Sequence, residues 1–233
     1  MPKTFRYIAL IPAAGTGTRL GHDVPKQYLR LGQRTMLEHS IAAMLADARI
    51  DRVFVVVAPA DDKWHSICVD ERRVEFLPVG GASRAQSVLN ALSALSGRTQ
   101  NDDRVLVHDA ARPCLAHAEL ARLIDEVGSD DRGGLLAIPL TDTLKRAEDG
   151  HAAETVRRDA FWCAQTPQMF RVASLRAALG AGSLEGITDE SSAIERNGTF
   201  PRLVHGSATN IKVTTEQDLA LARVILYAGG TTV

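Results

Sequence analysis

The sequence has little cysteine, and its three cysteines lie far apart. Cys68, Cys114 and Cys163 are odd in number and form no CxxC pair. This pattern argues against a disulfide framework and a zinc site, and it suits a reducing compartment. The apolar run at residues 8–14 is short and leads into glycines, unlike a signal peptide, and no run reaches membrane-spanning length. We therefore expect a cytoplasmic protein that does not enter a membrane.

The chain also lacks an excess of charge of either sign. Its 233 residues include 27 Lys and Arg and 28 Asp and Glu, which gives a formal net charge of −1. No global basic field favours nucleic acid or an acidic membrane, so we expect neither as a partner. Any site for an anion must be local. The length suits one α/β domain with a modest appendage, and such a domain can bury a large core.

What the sequence has in quantity is alternation between short β-branched runs and longer segments of helical period. That order predicts an α/β fold, a Rossmann-like and mostly parallel sheet sandwiched by helices. The predicted strands are Tyr7–Ile11, Arg52–Ala58, Val74–Pro78, Val105–His108, Leu135–Pro139 and Asn210–Val213. The predicted helices are Met36–Leu45, Ala85–Leu95, Glu119–Val127, Val172–Leu179, Asp189–Arg196 and a last one that a capping box of Thr214 and Gln217 opens and that ends near Tyr227.

The periodicity breaks between about residues 140 and 162, where the chain is polar and has no clear core face. This segment is too short to bury a core of its own. We interpret it as a protruding β-arm of a single domain that covers residues 1–233. An arm of this kind needs a partner surface, and a second subunit is the simplest one. A mobile surface loop is the alternative.

A loop of small residues, PAAGTGTRL at residues 12–20, follows the first strand directly. Such residues let a ligand approach the backbone closely, and successive N–H groups can bind an anion. The loop is not a Rossmann fingerprint, because Leu20 stands where the third glycine should fall, and it is not a Walker A loop. It adds the cations Arg19 and Lys26, which suit a triphosphate better than a dinucleotide. A turn with solvated charges is the alternative.

Two further motifs follow predicted strands. GGASRAQS at residues 80–87 opens a helix, where Ser87 and the backbone can bind the edge of a base, although Arg84 is equally well a surface residue. DAARP at residues 109–113 begins at the carboxyl end of a strand, where open α/β sheets bind ligands. Asp109 is therefore either a helix N-cap or a contact to a hydroxyl group or to the Mg²⁺ that accompanies a triphosphate.

Taken together, these motifs resemble the 2-C-methyl-D-erythritol 4-phosphate cytidylyltransferase family. PAAGTGTRL…PKQY, GGASRAQSV, DAARP, AQTPQ, TDESSA and NIKVT occur in this order and span nearly the whole chain. The N-terminal loop is common to many sugar nucleotidyltransferases, whereas DAARP and AQTPQ are more specific. Asn90 departs from the family pattern GGxSRxxSVxxGL, in which a glycine is expected at this position.

The resemblance implies an enzyme of non-mevalonate isoprenoid biosynthesis. It would transfer CMP from CTP, with Mg²⁺, to 2-C-methyl-D-erythritol 4-phosphate and release pyrophosphate. It would be a homodimer in which the arm of one subunit completes the acceptor site of the other. The catalytic cations implied are Arg19, Lys26 and Lys212. The nucleotide-binding candidates are Pro12, Ala13, Ala14, Gly15, Gly17, Gly81, Arg84, Ser87 and Asp109, of which Asp109 is also the metal candidate. The acceptor-side candidates are Ala110, Arg112, Thr143, Arg158, Thr166 and Thr188.

Three other functions stay open from the sequence. The acceptor could be another polyol phosphate such as ribitol 5-phosphate. A dinucleotide-dependent oxidoreductase is more distant, because the third glycine is misplaced and two cations are present. The third is a non-catalytic CTP-binding regulatory module on the same scaffold, since a fold does not determine function. The sequence assigns no role to His22 or His108.

Overall fold

The computed structural model describes residues 5–15, 24–69 and 72–228. The strands are β1 (Tyr7–Pro12), β2 (Arg30–Leu31), β3 (Arg34–Thr35), β4 (Ile50–Val56), β5 (Val74–Leu77), β6 (Arg104–Val107), β7 (Gly134–Pro139), β8 (Leu144–Glu148), β9 (His151–Val156), β10 (Trp162–Arg171) and β11 (Arg202–His205). The helices are α1 (Met36–Leu45), α2 (Arg84–Ala94), α3 (His117–Val127), α4 (Val172–Gly180), α5 (Glu190–Glu195) and α6 (Glu216–Ala228).

A seven-stranded sheet forms the centre of the protein, in the order β11-β7-β10-β6-β1-β4-β5. β1 pairs in parallel with β4 and β6, β4 pairs in parallel with β5, and β11 does so with β7. Only β10 runs antiparallel, between β6 and β7. The mostly parallel α/β fold predicted from the sequence is thus confirmed.

Helices cover both faces of the sheet because its central strands are apolar on both sides. Ala9 and Ile11 of β1 pack in a core with α1 and α3, whereas Ile8 and Leu10 pack in a second core with α2, α4 and α5. All four side chains are at most 2% exposed, as expected for a central strand of a parallel sheet. None of the helices in the described part of the chain combines the length and the apolar character needed to cross a lipid bilayer.

Two local predictions are wrong. Asn210–Val213 is not a strand; the edge strand is β11, which the sequence analysis missed together with β10. Val213 instead packs in a small cluster with Leu31 and Leu219, so its apolar character serves this cluster and not the sheet. The cap of α6 lies one residue later than predicted.

The cap of α6 is formed by Thr215 and Asp218 rather than by Thr214 and Gln217. The Asp218 backbone N–H donates to the Thr215 hydroxyl at 3.2 Å, and the Thr215 N–H donates to the Asp218 carboxylate at 2.8 Å. The same carboxylate also accepts hydrogen bonds from the N–H and the hydroxyl of Thr214. A carboxylate is the better acceptor for several N–H groups, which explains the shift in register.

The predicted arm is a two-stranded antiparallel hairpin of β8 and β9, which lies outside the central sheet. Almost all of its residues are exposed. Asp149 and Gly150 join the strands with φ of 48° and 79°, the left-handed conformations that a tight hairpin turn requires.

Candidate active site

A cavity of about 550 Å³ opens at the carboxyl ends of β1 and β6. Four sequence motifs that lie far apart in the chain meet there. The predicted site residues that line it are Pro12, Ala13, Ala14, Gly15, Lys26, Gly81, Arg84, Ser87, Asp109, Ala110 and Lys212. Two further predicted residues, Gly17 and Arg19, and also His22, lie outside the described residues.

Gln27 holds the N-terminal loop in place, a role that the sequence analysis missed. Its side-chain amide is buried and donates to the carbonyl oxygens of Ala13 at 2.8 Å and Gly15 at 3.0 Å. The backbone N–H of Ala13 meanwhile donates to Val56 O at 2.8 Å, which extends the sheet by one residue. The first residues of the loop are therefore rigidly tied to β1 and β4.

The second wall is the turn that precedes α2. The Gly81 N–H donates to the Ser87 hydroxyl at 3.0 Å, and that hydroxyl donates to Ser83 O at 2.9 Å. A side chain on Gly80 would overlap the Cβ of Ala14 and come within 2.8 Å of a backbone oxygen, so the turn can pack against the N-terminal loop only as glycine. Ser87 is thus engaged within the protein and has one acceptor lone pair left for a ligand.

Asp109 is the centre of a charged network at the floor of the cavity. Its Oδ1 lies 2.7 Å from Nε of Arg84, and its Oδ2 lies 2.7 Å from Nζ of Lys212. Burial alone would raise the pKa of the Asp109 carboxyl, but the two cations outweigh it and hold the pKa well below its usual range. Asp109 is therefore an ionised carboxylate, and it is not a helix N-cap, because α3 begins only at His117.

Arg84 is not the surface residue that the sequence left as an alternative. On its other side it donates through both terminal nitrogens to Glu190, at 2.6 and 2.9 Å. Glu190, the first residue of α5, is 1% exposed. Opposite charges on both sides raise the pKa of Arg84 although its burial opposes this. In the sequence, Glu190 stands out only as part of the TDESSA motif.

A neutral histidine fixes the backbone beneath Asp109. His108 is fully buried, and burial lowers its pKa to about 4. Its Nε2 lies 3.1 Å from Arg112 O and must carry the proton, so its Nδ1 accepts from the Thr166 hydroxyl at 3.0 Å. That hydroxyl accepts in turn from the Asp109 N–H at 3.0 Å. Thr166, a predicted substrate contact, is thus buried and does not line the cavity.

Arg112 lies behind the cavity and ties the DAARP loop to the NIKVT loop. Its guanidinium is buried and donates to Asn210 O at 2.6 Å and to Ala164 O at 3.4 Å. The backbone N–H of Val213 donates to Ala111 O at 2.8 Å between the same two loops. The Nε of Arg112 is buried and has no hydrogen-bond partner among the residues described.

The other acceptor-side candidates do not meet at the cavity within one chain. Thr143 and Arg158 lie at the base of the arm, both exposed, and Arg158 donates to the carbonyl oxygen of Thr141. Thr188 is exposed just before α5, and its N–H donates to Ser192 Oγ at 3.2 Å. None of the three lines the cavity.

The described side chains of the cavity provide too few ligands to hold a metal ion without a substrate phosphate. No cluster of three or more His, Cys, Asp or Glu with metal-binding geometry occurs in the described ranges. Among the residues of those ranges that line the cavity, Asp109 is the only carboxylate. Both of its oxygens are paired with cations. Mg²⁺ is often held by one or two carboxylates together with substrate phosphates and water. The residues present therefore fit a metal that arrives with a phosphate ligand.

Comparison with known proteins gives a consistent result over nearly the whole chain. A sequence model of the family described as 2-C-methyl-D-erythritol 4-phosphate cytidylyltransferase matches residues 7–228. The protein of that name from Chromobacterium violaceum is 50% identical over 222 residues, which cover 95% of this chain and 98% of the relative. The one from Laribacter hongkongensis is 52% identical over 224 residues, which cover 95% and 96%.

Solved structures with the same fold agree. A crystal structure of 4-diphosphocytidyl-2C-methyl-D-erythritol synthase superposes with a TM-score of 0.86 at 41% identity and covers 96% of this chain and 99% of its own. That of 2-C-methyl-D-erythritol 4-phosphate cytidylyltransferase from Thermus thermophilus gives a TM-score of 0.78 at 33% identity and covers 95% and 98%.

Proposed function

The chain belongs to the 2-C-methyl-D-erythritol 4-phosphate cytidylyltransferase family, and from this premise we propose how its cavity carries out the reaction. The enzyme transfers CMP from CTP to 2-C-methyl-D-erythritol 4-phosphate and releases pyrophosphate. One observation carries the proposal: Arg84 and Lys212 pair with Asp109, and Lys26 lines the same cavity at the carboxyl ends of the parallel strands.

The chemical problem is to bring two anions together. An oxygen of the acceptor phosphate attacks the α-phosphorus of CTP, a new P–O bond forms, and the bond to the leaving pyrophosphate breaks. The acceptor phosphate is already ionised at neutral pH, so no general base is needed. What lowers the barrier is alignment of the reactants and positive charge placed where negative charge builds up. Arg19, Lys26 and Lys212 are the residues that we assign to this role.

CTP occupies the part of the cavity between the N-terminal loop and the start of α2. The cytosine lies against residues 12–15, Gly81 and Ser87, where closely packed backbone groups can distinguish one base from another. Arg84 and Asp109 lie beneath the ribose and the phosphates. Arg84 supports this placement because only three of its five N–H donors have an acceptor among the residues that the structure describes.

The acceptor lies beside Asp109 and Ala110, towards Arg112, Thr166 and Thr188. The buried Nε of Arg112, which has no partner among the described residues, supports this side, because a guanidinium N–H suits a phosphate or hydroxyl oxygen. Thr143 and Arg158 reach the site from the arm of a second subunit, so the working enzyme is a homodimer. The exposure of both residues in the single chain supports their use between subunits.

Asp109 is the residue that would hold Mg²⁺ supplied together with CTP. When bound, the ion would offset negative charge on the phosphates. Lys212 pairs with Asp109 at the floor of the cavity, and its ammonium can exchange this carboxylate for a phosphate oxygen. We also propose a cytoplasmic location, which the three scattered free cysteines support.

A product assay tests the function. Purified enzyme is incubated with CTP and Mg²⁺ and with either 2-C-methyl-D-erythritol 4-phosphate or ribitol 5-phosphate, and pyrophosphate is measured. We expect release with the first acceptor and at most a trace with the second. Equal release with both, or release with ribitol 5-phosphate alone, would contradict the assigned acceptor.

A further inference from the structure

Glu190 is a buried acid that has no role in the reaction proposed above. It is 1% exposed and does not line the cavity. Burial penalises a charged carboxylate strongly unless a partner compensates. The position therefore calls for an explanation beyond the stability of the helix that it begins.

The helix does not need this carboxylate. The N-cap of α5 is Asp189, whose carboxylate accepts from the Ser192 N–H at 2.9 Å, and the Ser192 side chain closes a capping box with the Asp189 backbone. Asp189 also accepts from the side-chain amide of Gln168 at 2.8 Å. The start of α5 is thus capped and anchored without any contact from Glu190.

The contacts of Glu190 lead to the cavity instead. Its two oxygens accept from the two terminal nitrogens of Arg84 at 2.6 and 2.9 Å. Because a guanidinium is planar, this paired contact fixes the direction of its third nitrogen, Nε, which donates to Asp109 at 2.7 Å. The other Asp109 oxygen holds Lys212. A line of alternating charge therefore runs from α5 through α2 and the end of β6 to the loop that carries Lys212.

We propose that Glu190 is a positioning residue of the transfer reaction. Its carboxylate holds both terminal nitrogens of Arg84, and the orientation of Arg84 in turn determines the positions of Asp109 and Lys212. This inference depends on the proposed function, since it assigns Glu190 to the same cavity. Without the charge of Glu190, Arg84 is balanced by Asp109 alone and is drawn towards it. Asp109 then holds Lys212 less well, and the cations are no longer aligned for the phosphates.

The test is Glu190→Gln, which keeps the size of the side chain but removes its charge and turns one acceptor into a donor. Pyrophosphate release is measured with CTP and the methylerythritol phosphate, and thermal unfolding is recorded for every variant. We expect kcat to fall on the order of 10- to 100-fold, the scale expected when a reactive group is misplaced by about 1 Å. KM for CTP should change far less, because the turn at Gly81 and Ser87 is untouched.

The chain supplies a matched control in Glu75. Its two carboxylate oxygens accept from the two terminal nitrogens of Arg98 at 2.9 and 2.6 Å, as those of Glu190 do from Arg84. Neither side chain lines the cavity. Glu75→Gln should therefore keep the kcat of the wild type. Arg84→Lys is the second variant, since a lysine keeps the charge but lacks the planar fork that holds Glu190 with two nitrogens and Asp109 with a third. It should lower kcat in the same way.

The double variant decides whether Glu190 acts through Arg84. If it does, Glu190→Gln combined with Arg84→Lys should lose little more than the worse single variant. A kcat near the wild-type value in folded Glu190→Gln, or a double-variant loss equal to the product of the single losses, would overturn the inference. If Glu190→Gln does not fold, a normal kcat in Arg84→Lys overturns it. A wild-type enzyme that releases no pyrophosphate refutes the proposed function instead.

Discussion

At the scale of single residues, the two lysines of the cavity are held in different ways. Lys212 is paired with a carboxylate, whereas the ammonium of Lys26 donates to the carbonyl oxygen of Val213 at 3.2 Å. Both contacts join a cation to the floor or wall of the cavity. Each can be exchanged for a phosphate oxygen, which bears more negative charge than a carbonyl group.

We expect Lys26→Ala and Lys212→Ala each to lower kcat on the order of 10²- to 10³-fold, the loss typical of a donor that stabilises a transition state. Steady-state pyrophosphate release measures the effect. Lys63→Ala is the control, because Lys63 is exposed and lies away from the cavity. Near-normal turnover by folded Lys26→Ala or Lys212→Ala would show that the assigned role is wrong.

His108 gives a prediction about stability and pH. Its pKa in the folded protein is about 4, below the ordinary value of 6.5, so the unfolded chain binds the proton first. The free energy of unfolding should therefore fall as the pH is lowered from 6.5 towards 4, by at most about 1.4 kcal/mol per pH unit from this group. His108→Gln removes the titrating group and should flatten that dependence.

Urea titrations of both proteins at several pH values between 7 and 4 measure the difference. Other acids titrate in the same range, but they are common to both proteins and cancel in the comparison. Parallel curves for the wild type and His108→Gln would contradict the neutral, buried state assigned to His108.

At the scale of secondary-structure elements, the segments whose apolar residues recur at regular spacing were predictable from the sequence, and the polar or exposed strands were not. All six helices were predicted to within two residues at each end, because each has apolar side chains at helical spacing. β10 was missed because its middle carries the polar AQTPQ motif, where the pairing with β7 shifts register. β11 is short and mostly exposed, so it has no apolar signal.

At the site, too, the motifs were predictable from the sequence and the contacts that support them were not. Motifs and a parallel sheet together predicted that residues from β1, α2, β6 and the NIKVT loop would meet, and those residues do line one cavity. The supporting contacts of Gln27, Glu190 and His108 were not predictable. They depend on which side chains face each other across elements that are 14 to 106 residues apart, and no local pattern records this.

The arm offers a prediction with a control one residue away. Arg158→Ala should impair use of the acceptor, with a raised KM for the acceptor or a lower kcat, and leave CTP binding nearly unchanged. Arg157→Ala should have little effect, since Arg157 only pairs with Asp159 in an exposed salt bridge. Kinetics with each substrate varied in turn measure both. Equal impairment towards CTP and the acceptor would refute the placement of Arg158.

At the scale of the whole molecule, the proposed site is divided between subunits. Lys212 belongs to the cavity of its own chain, whereas Arg158 lies on the arm. If the arm serves the partner, mixing the impaired Lys212→Ala and Arg158→Ala subunits should restore wild-type sites in mixed dimers, in about a quarter of all sites at equal amounts. Activity that does not rise after subunit exchange would place the arm in the site of its own chain.

The central claim is that a local concentration of cations, in a chain with a net charge of −1, lets two phosphates meet. Titration calorimetry with CTP in the presence of Mg²⁺ tests it most directly. We predict saturable binding of CTP, weaker binding of ATP, GTP and UTP, and a clear loss of CTP affinity in Lys26→Ala. No detectable binding of CTP by the folded wild-type protein, or equal binding of all four nucleotides, would contradict the account.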